Sequence, residues 1–368
     1  MAGSQRGRVL WISNVPTPYR APLWSAISES HDLTVALMAR SEPNRTWDID
    51  LTEAPHSTVF LQAKALTTSG DSVIYAPSLQ LLKMINERPR AIVIDGWESP
   101  AYMAARWWAR VRRVPVIASY RSTLATRRYT TGPVPLARRW FFQGADLVLT
   151  AGSASTRSVQ EIGVPRAKIV EGFNTVDVAR FAEAVNLRPD FAPTSGHHYL
   201  YVGQLIPRKN VDSLVHAFEA VRQPHDTLTL VGDGPEEDRL KTLASHLDLD
   251  SAVRFTGSLD GGDLVRAYAS ANTLVLPSKE EVWGLVVNEG LAAGLQVVVS
   301  NACGVTPSIQ HMPGVISSEP EPQQLAIALR QSKDDWTGPL LDHPVTRHTP
   351  HELAAVVMKA VEQVAPVR

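Results

Sequence analysis

Short, mostly apolar runs alternate with stretches of helical periodicity along almost the whole chain, and few folds accept that alternation. The runs fall at residues 9–12, 33–37, 91–94, 116–118 and 147–150, and again at 199–202, 228–231, 253–255, 273–276 and 297–299. Helical spacing of apolar residues marks 23–30, 79–86 and 101–112 in the first half, and 211–221, 236–247 and 264–269 in the second. Strands without polar alternation are buried on both faces, which requires a parallel sheet covered by helices. The expectation is therefore an α/β protein of two Rossmann-like parallel-sheet domains facing a central cleft. At 368 residues the chain exceeds one ordinary domain, and with 44% hydrophobic residues each half can bury its own core. The stretch 186–198, with Pro189, Pro193, Thr194, Ser195 and Gly196, reads as the linker. This gives an N-terminal domain over 1–188, a C-terminal domain over 189–349, and a last helix in 350–368 expected to pack back on the N-terminal domain. Open parallel sheets bind ligands beyond the carboxyl ends of their strands, so chemistry is expected there.

One segment carries the chemistry. Residues 277–294 read PSKEEVWGLVVNEGLAAG, with Glu281 just ahead of a helix start at Gly284 and Glu289 inside that helix. A helix opening at Gly284 presents unpaired backbone N–H groups and a partial positive charge, which suit an anionic phosphate. Glu289 lies roughly 7 Å further along the axis, at about 1.5 Å per residue. A carboxylate there can accept two hydrogen bonds from a vicinal diol, while Glu281 can accept from hydroxyls beyond the phosphate. Diol, phosphate and sugar in sequence describe a nucleotide-sugar. The bland alternative is that glutamates flank a helix start because the dipole favours them.

Two upstream segments add to this. YVGQLIPRKNVDSL (201–214) is a strand, a glycine turn, and the cations Arg208 and Lys209 entering a helix. Such a pair can neutralise a departing diphosphate, although a basic pair in a loop is more often only solvated. LTLVGDGPEEDRL (228–240) is a strand running into Gly232-Asp233-Gly234. The third glycine of a dinucleotide fingerprint is replaced by Glu237, which argues against a nicotinamide site.

In this order the segments resemble the retaining glycosyltransferases of family four, which adopt the GT-B fold. The resemblance spans the second half nearly end to end, through VGQLIPRKNVDSL, LVGDGPEEDRL, VRFTGSL, YASANTLVLPS, EEVWGLVVNEGLAAG and the Gly304 turn; the first half joins it through FNTVDVARF (173–181). It implies that Glu281 contacts donor sugar hydroxyls and Glu289 the ribose. It places the backbone of Gly284, Leu285 and Val286 against the sugar and distal phosphate. Arg208 and Lys209, with Glu281, form the catalytic set; Gly203, Gln204, Asp233, Arg254, Ser258 and Leu259 complete the donor site, the last three near the base. No cofactor or metal is implied, the nucleoside-diphosphate sugar being the donor substrate. Asp48-Ile49-Asp50 is a formal DxD pattern but lies far in sequence from the donor motifs. Where the family usually has arginine after the glycine at 203, this chain has Gln204, and Arg208 is expected to replace it. Where many relatives carry a histidine after a mid-domain strand, this chain has Arg121.

The acceptor is expected on the first half, at Asn14, Tyr19 and Arg20 after the first strand, Trp97 and Glu98 after VIDG, and Arg121 after IAS. Its hydroxyl could belong to a glycan, a lipid-linked sugar or a small natural product. Up to Glu183 there are 22 Lys/Arg against 15 Asp/Glu, a net of +7; the rest has 14 against 22, a net of −8. A basic first half suits an anionic or membrane-surface partner. Arg106, Trp107, Trp108, Arg110, Arg112 and Arg113, with Arg138 to Phe142, mix cations and aromatics as membrane-interface helices do, or as core-facing aromatics with a solvated basic edge. A lone Cys303 and no apolar run of membrane-spanning length fit a cytoplasmic protein, at most peripheral to a membrane. No base-stacking module accompanies the basic residues, so nucleic acid is not expected. An epimerase, a coupling enzyme on the same fold, or a non-catalytic nucleotide-sugar binder remain the alternatives.

Overall fold

The computed structural model describes residues 7–43, 49, 51–69, 72–127, 129–188 and 196–366. The Asp48/Asp50 pattern and residues 189–195 of the expected linker lie outside them. Two compact units emerge, one formed by residues 1–173 with 350–368 and the other by 174–349.

In the first unit the strands are β1 (Val9–Ser13), β2 (Leu33–Leu37), β3 (Ser57–Phe60), β4 (Ala65–Ser69), β5 (Ser72–Tyr75), β6 (Ala91–Ile94), β7 (Val116–Tyr120), β8 (Leu147–Ala151) and β9 (Ile169–Gly172). Seven of these form one parallel sheet, ordered β3-β2-β1-β6-β7-β8-β9, while β4 and β5 make a separate antiparallel pair. Residue parity divides the core. Leu10 and Ile12 of β1 join the cluster on one face with Tyr102, Phe141 and Phe142, and Val9 and Trp11 join the other with Trp24. The helix Pro350–Val364 lays Leu353, Ala354, Val357, Met358 and Val361 on that second face, and Arg90 ties its end by donating to the Ala365 carbonyl at 2.9 and 2.8 Å.

The second unit contains β10 (His198–Val202), β11 (Thr227–Val231), β12 (Val253–Gly257), β13 (Thr273–Leu276), β14 (Gln296–Ser300) and β15 (Val315–Ser318), all parallel in the order β12-β11-β10-β13-β14-β15. Strands β3, β9 and β15, which apolar runs do not mark, are sheet edges with partly exposed residues. An edge strand has less to bury, so its sequence lacks the continuous apolar signal.

The division falls at Phe173/Asn174 rather than 188/189. Residues 174–188 precede the Pro/Gly-rich stretch but are bonded into the second unit. Asn174 accepts from Asn288 Nδ2 at 2.7 Å, and Arg188 donates to the carbonyls of Ala271 and Ala293 at 2.8 and 3.1 Å. Linker composition marks where a chain is free of backbone demands, which need not be where its packing changes hands.

The loops after β10 and β11 are backbone-zippered. Gly203 N–H donates to Val231 O at 2.9 Å, Leu205 N–H to Asp233 O at 2.8 Å, and Glu236 N–H to Leu205 O at 3.0 Å. A Cβ on Gly232 would stand 2.0 Å from the Gly203 carbonyl oxygen, at a φ of 130°, and one on Gly234 would stand 2.2 Å from the Leu205 oxygen. Glycine is required at both positions by close approach, and at Gly232 by its dihedral as well. Gly232→Ala is expected to cost about 2–4 kcal/mol of stability, combining backbone strain with overpacking; urea unfolding at neutral pH measures it.

Candidate functional site

In both sheets, strand order reverses direction at one strand. β10 lies between β11 and β13, and β1 lies between β2 and β6. Such switch points open a crevice past the carboxyl ends of the strands, where loops diverge to opposite faces. The motif residues gather at these two places.

In the second unit the chain leaves β10 through Gly203 and forms a short 3₁₀ turn, Pro207–Lys209, closed by Asn210 in the left-handed region at φ 58°. Buried Asn210 donates to the carbonyls of Pro277 and Pro320 at 3.0 and 2.7 Å, and accepts from Ser213 at 2.8 Å. The Arg208 carbonyl accepts from Lys279 N–H at 2.9 Å. The loops after β10 and β13 are thereby stitched together. Their charged tips meet: Lys209 Nζ forms an ion pair with Glu281, both side chains about one-seventh exposed or less. The Glu281 backbone is also fixed, accepting from Gly304 N–H at 3.0 Å.

Glu281 precedes the helix Leu285–Ala292, which no side chain caps. Gly284 holds the left-handed N-cap at φ 100°, and a Cβ there would strike Leu276 at 2.6 Å and lie 3.5 Å from Glu281 Cγ. The amides of Leu285 and Val286 precede the first intrahelical bond, so the helix tip beside Glu281 offers donors and positive potential. Glu289, on the same helix, is half-buried and accepts from Tyr268 Oη at 2.6 Å. Burial pushes its carboxyl up to about 7, against the opposing influence of the Tyr268 bond and the Arg180 charge. Burial and the Glu289 charge raise the Tyr268 phenol well above its ordinary value.

Asp233 and Ser258 also meet, Ser258 N–H donating to Asp233 Oδ1 at 3.0 Å past the ends of β11 and β12. Gln204 is exposed, and its backbone carbonyl accepts from Tyr201 Oη at 2.8 Å. Arg254 sits early in β12, and with Leu259 it lines a cavity of about 960 Å³ over β10–β12 that includes none of Lys209, Glu281, Gly284 or Glu289.

In the first unit a buried carboxylate organises the loops. Asp95, immediately after β6, pairs with Arg20 at 3.3 Å and with Arg121, which follows β7. Despite burial, the Asp95 carboxyl is held below its ordinary range by the two guanidiniums. Burial and the Arg121 charge lower Arg20 to about 10. Asn14 accepts from Tyr102 Oη, and Tyr19 lies with its ring centroid 5.7 Å from the Arg20 guanidinium. Trp97 turns inward instead, under the Arg138 guanidinium at 4.8 Å and against Phe142 at 6.3 Å, while Glu98 is exposed. Asn14, Arg20 and Arg121 are brought to one set of strand ends; Trp97, partly buried, packs against the core. Asp95 and Tyr268 were not singled out by sequence reasoning. The first had a signal, an acid closing the apolar run AIVI. The second had none, because its partner is set by packing between helices.

Arg106 is likewise buried, 3.9 Å from the Trp140 ring centroid. Two cations of the aromatic-rich stretches thus serve the interior, though Trp107 and Trp140 stay half exposed. No helix among the described residues is long and apolar enough to cross a membrane.

Over the whole chain the fold is GT-B: Anabaena HepE, solved in complex with UDP, matches with a TM-score of 0.69 at 18% identity, covering 98% of this chain and 96% of that one. The lipopolysaccharide outer core galactosyltransferase WaaB matches with a TM-score of 0.71 at 14% identity, covering 97% and 98%. A model of the glycosyl transferase 4-like domain matches residues 17–171, and one of the glycosyl transferases group 1 matches residues 188–344. The chain belongs to the family-four type of glycosyltransferases. It is 30% identical over 260 residues to a glycogen synthase of Mycobacterium tuberculosis, covering 67% of this chain and 61% of that protein. It is 33% identical over 220 residues to a GDP-mannose-dependent alpha-mannosyltransferase of the same organism, covering 56% and 54%. The chain thus spans about three-fifths or less of the length of these relatives.

The raised Glu289 gives a signed expectation. Its folded value of about 7 lies above the 4.5 of an unburied glutamate, so the folded state holds the extra proton and stability falls as pH rises from about 4.5 to 7. The loss is at most about 3 kcal/mol. Glu289→Gln should flatten that slope in pH-resolved chemical denaturation. Asp95→Ala should lower stability by about 3 kcal/mol or more, because it strands two guanidiniums, one of them buried.

Proposed function

We propose that this protein transfers a sugar from a nucleoside-diphosphate sugar to an acceptor hydroxyl with retention of anomeric configuration, and without a metal ion. The observation that carries this reading is the Lys209–Glu281 ion pair set against the uncapped helix tip at Gly284, with Glu289 further along the same helix. A diphosphate requires positive potential and N–H donors; sugar and ribose hydroxyls require acceptors. The second unit places both kinds of group within one helix turn of each other or on one helix.

In the proposed reaction the C1–O bond to the diphosphate breaks. Lys209, Arg208 and the amides of Gly284, Leu285 and Val286 stabilise the charge gathering on the leaving oxygen. The acceptor hydroxyl attacks from the same face, and its proton passes to the departing phosphate oxygen, so no enzyme nucleophile is needed. Lys209 and Arg208 supply the charge neutralisation that underlies the metal-free reading. Glu281 orients Lys209 and accepts from donor sugar hydroxyls; Glu289 accepts from the ribose diol. Gly203, Asp233 and Ser258 hold the zippered backbone beneath the nucleotide. Arg20, Arg121 and Asn14, fixed by Asp95 and Tyr102, bind the acceptor. HepE was solved with UDP, and the mannosyltransferase relative is named for GDP-mannose, which supports a nucleotide-sugar donor without choosing its base.

Lys209→Ala should reduce turnover at least about a hundredfold, since one lost charge-assisted contact at a transition state costs several kcal/mol. Release of nucleoside diphosphate from a panel of donor sugars, with and without acceptor, measures it. Turnover within a few fold of wild type would remove the cation pair from the reaction, and absence of any donor cleavage would favour a binding protein. Because a diol donates best to an ionised carboxylate, donor affinity should rise as pH rises through about 7. Glu289→Gln should abolish that dependence in calorimetric titration.

A further inference from the structure

A separate pocket of about 400 Å³ opens in the first unit, walled by Arg88, Arg90, Arg112 and Arg113 between Pro89 and Pro115. It lies at the amino ends of β6 and β7, the opposite sheet edge from Asp95 and Arg121, and β6 alone separates the two by about 13 Å at ~3.3 Å per residue. Four arginines line it and, among the described residues, no acidic residue does. This agrees with the sequence, since residues 99–145 carry nine arginines and neither Asp nor Glu.

Capping explains only part of this. Arg90 uses Nε and Nη2 on the Ala365 carbonyl, at the negative end of the helix Pro350–Val364. Its Nη1 is buried with no hydrogen-bond partner, and so is Arg112 Nε. Glu87, next in sequence to Arg88, is engaged by Arg8 at 2.7 Å and does not line the pocket. Arg88 and Arg113 end the helices Leu79–Asn86 and Pro100–Arg112 in left-handed backbone, at φ 54° and 57°, and Pro89 and Pro115 stiffen the chain just before β6 and β7. Like charges converging without an acid repel. An anion of multiple charge relieves that repulsion.

We propose that this pocket binds a phosphate-bearing anion, either a free phosphate or diphosphate or the phosphomonoester headgroup of a lipid. Guanidinium forks match tetrahedral phosphate oxygens, and a phosphate monoester brings close to two negative charges where a carboxylate brings one. The site is independent of the donor site in the second unit and stands whether or not the proposed transfer reaction does.

The test uses the whole chain in two arms. Inorganic pyrophosphate is titrated calorimetrically into Arg208→Ala/Lys209→Ala protein, which weakens the phosphate affinity of the donor site. The same protein carrying Arg88→Gln, Arg112→Gln and Arg113→Gln should bind at least about thirtyfold more weakly, as expected for two or three lost charge-assisted bonds. In the second arm, wild-type protein is sedimented with phosphatidylcholine vesicles with and without phosphatidic acid. Binding that needs both phosphatidic acid and the three arginines identifies the lipid source; pyrophosphate binding without vesicle binding identifies the soluble one. Arg113→Glu alone, at an exposed position, should give a smaller loss in a protein whose circular dichroism and melting are unchanged. Equal affinity of parent and triple variant for both probes, or no binding of either probe at low salt, would overturn the proposal.

Discussion

The ion pair between Lys209 and Glu281 is the constraint on which the second unit's site depends. Its partners come from loops after two different strands, so it exists only because β10 and β13 are neighbours in the sheet although two strands intervene in sequence. Asn210 and the Arg208 carbonyl supply the neutral bonds that hold those loops in place. The pair is mostly shielded from water, where a charge without a partner would be expensive. A ligand that replaces Lys209's partner, or shares it, therefore enters a site already organised for charge.

The same construction appears in the first unit with the signs arranged differently. There one carboxylate, Asp95, holds two arginines from loops after β1 and β7. Both clusters sit at the strand where the sheet order reverses, because only there do adjacent loops diverge and leave polar side chains room to converge without covering helices. Two units of the same topology thus reach different chemistry, one balanced around an amide-rich helix tip and one with an excess of guanidinium. Arginines in this unit have three different uses. Arg106 and Arg138 are buried against aromatic rings, Arg20 and Arg121 pair with Asp95, and Arg88, Arg112 and Arg113 line a pocket without an acid.

Glycine placement ties the fold to the site. Gly203, Gly232 and Gly234 allow two strand-end loops to bond backbone to backbone, and Gly284 lets the chain turn over Leu276 into its helix. Each contact removes the space a side chain would need, so the floor of the site is main chain. Main-chain dipoles do not reorganise as side chains do, and that is an advantage where charge must be met quickly.

The chain's alternation of apolar runs and helical periods was enough to determine two parallel α/β layers, because strands buried on both faces cannot form anything else of this length. The local segment from Glu281 to Glu289 likewise determined a helix start with an acid on either side, since glycine, spacing and charge are all properties of neighbouring residues. Tertiary structure alone decided which distant groups those acids meet: Lys209 for Glu281, Tyr268 for Glu289, and Asp95 for Arg20 and Arg121. It also packed Trp97 against the core and set the unit boundary at Phe173/Asn174. Periodicity reports which face of an element is buried, whereas strand order decides what lies opposite that face, and strand order is not written in any local stretch of sequence.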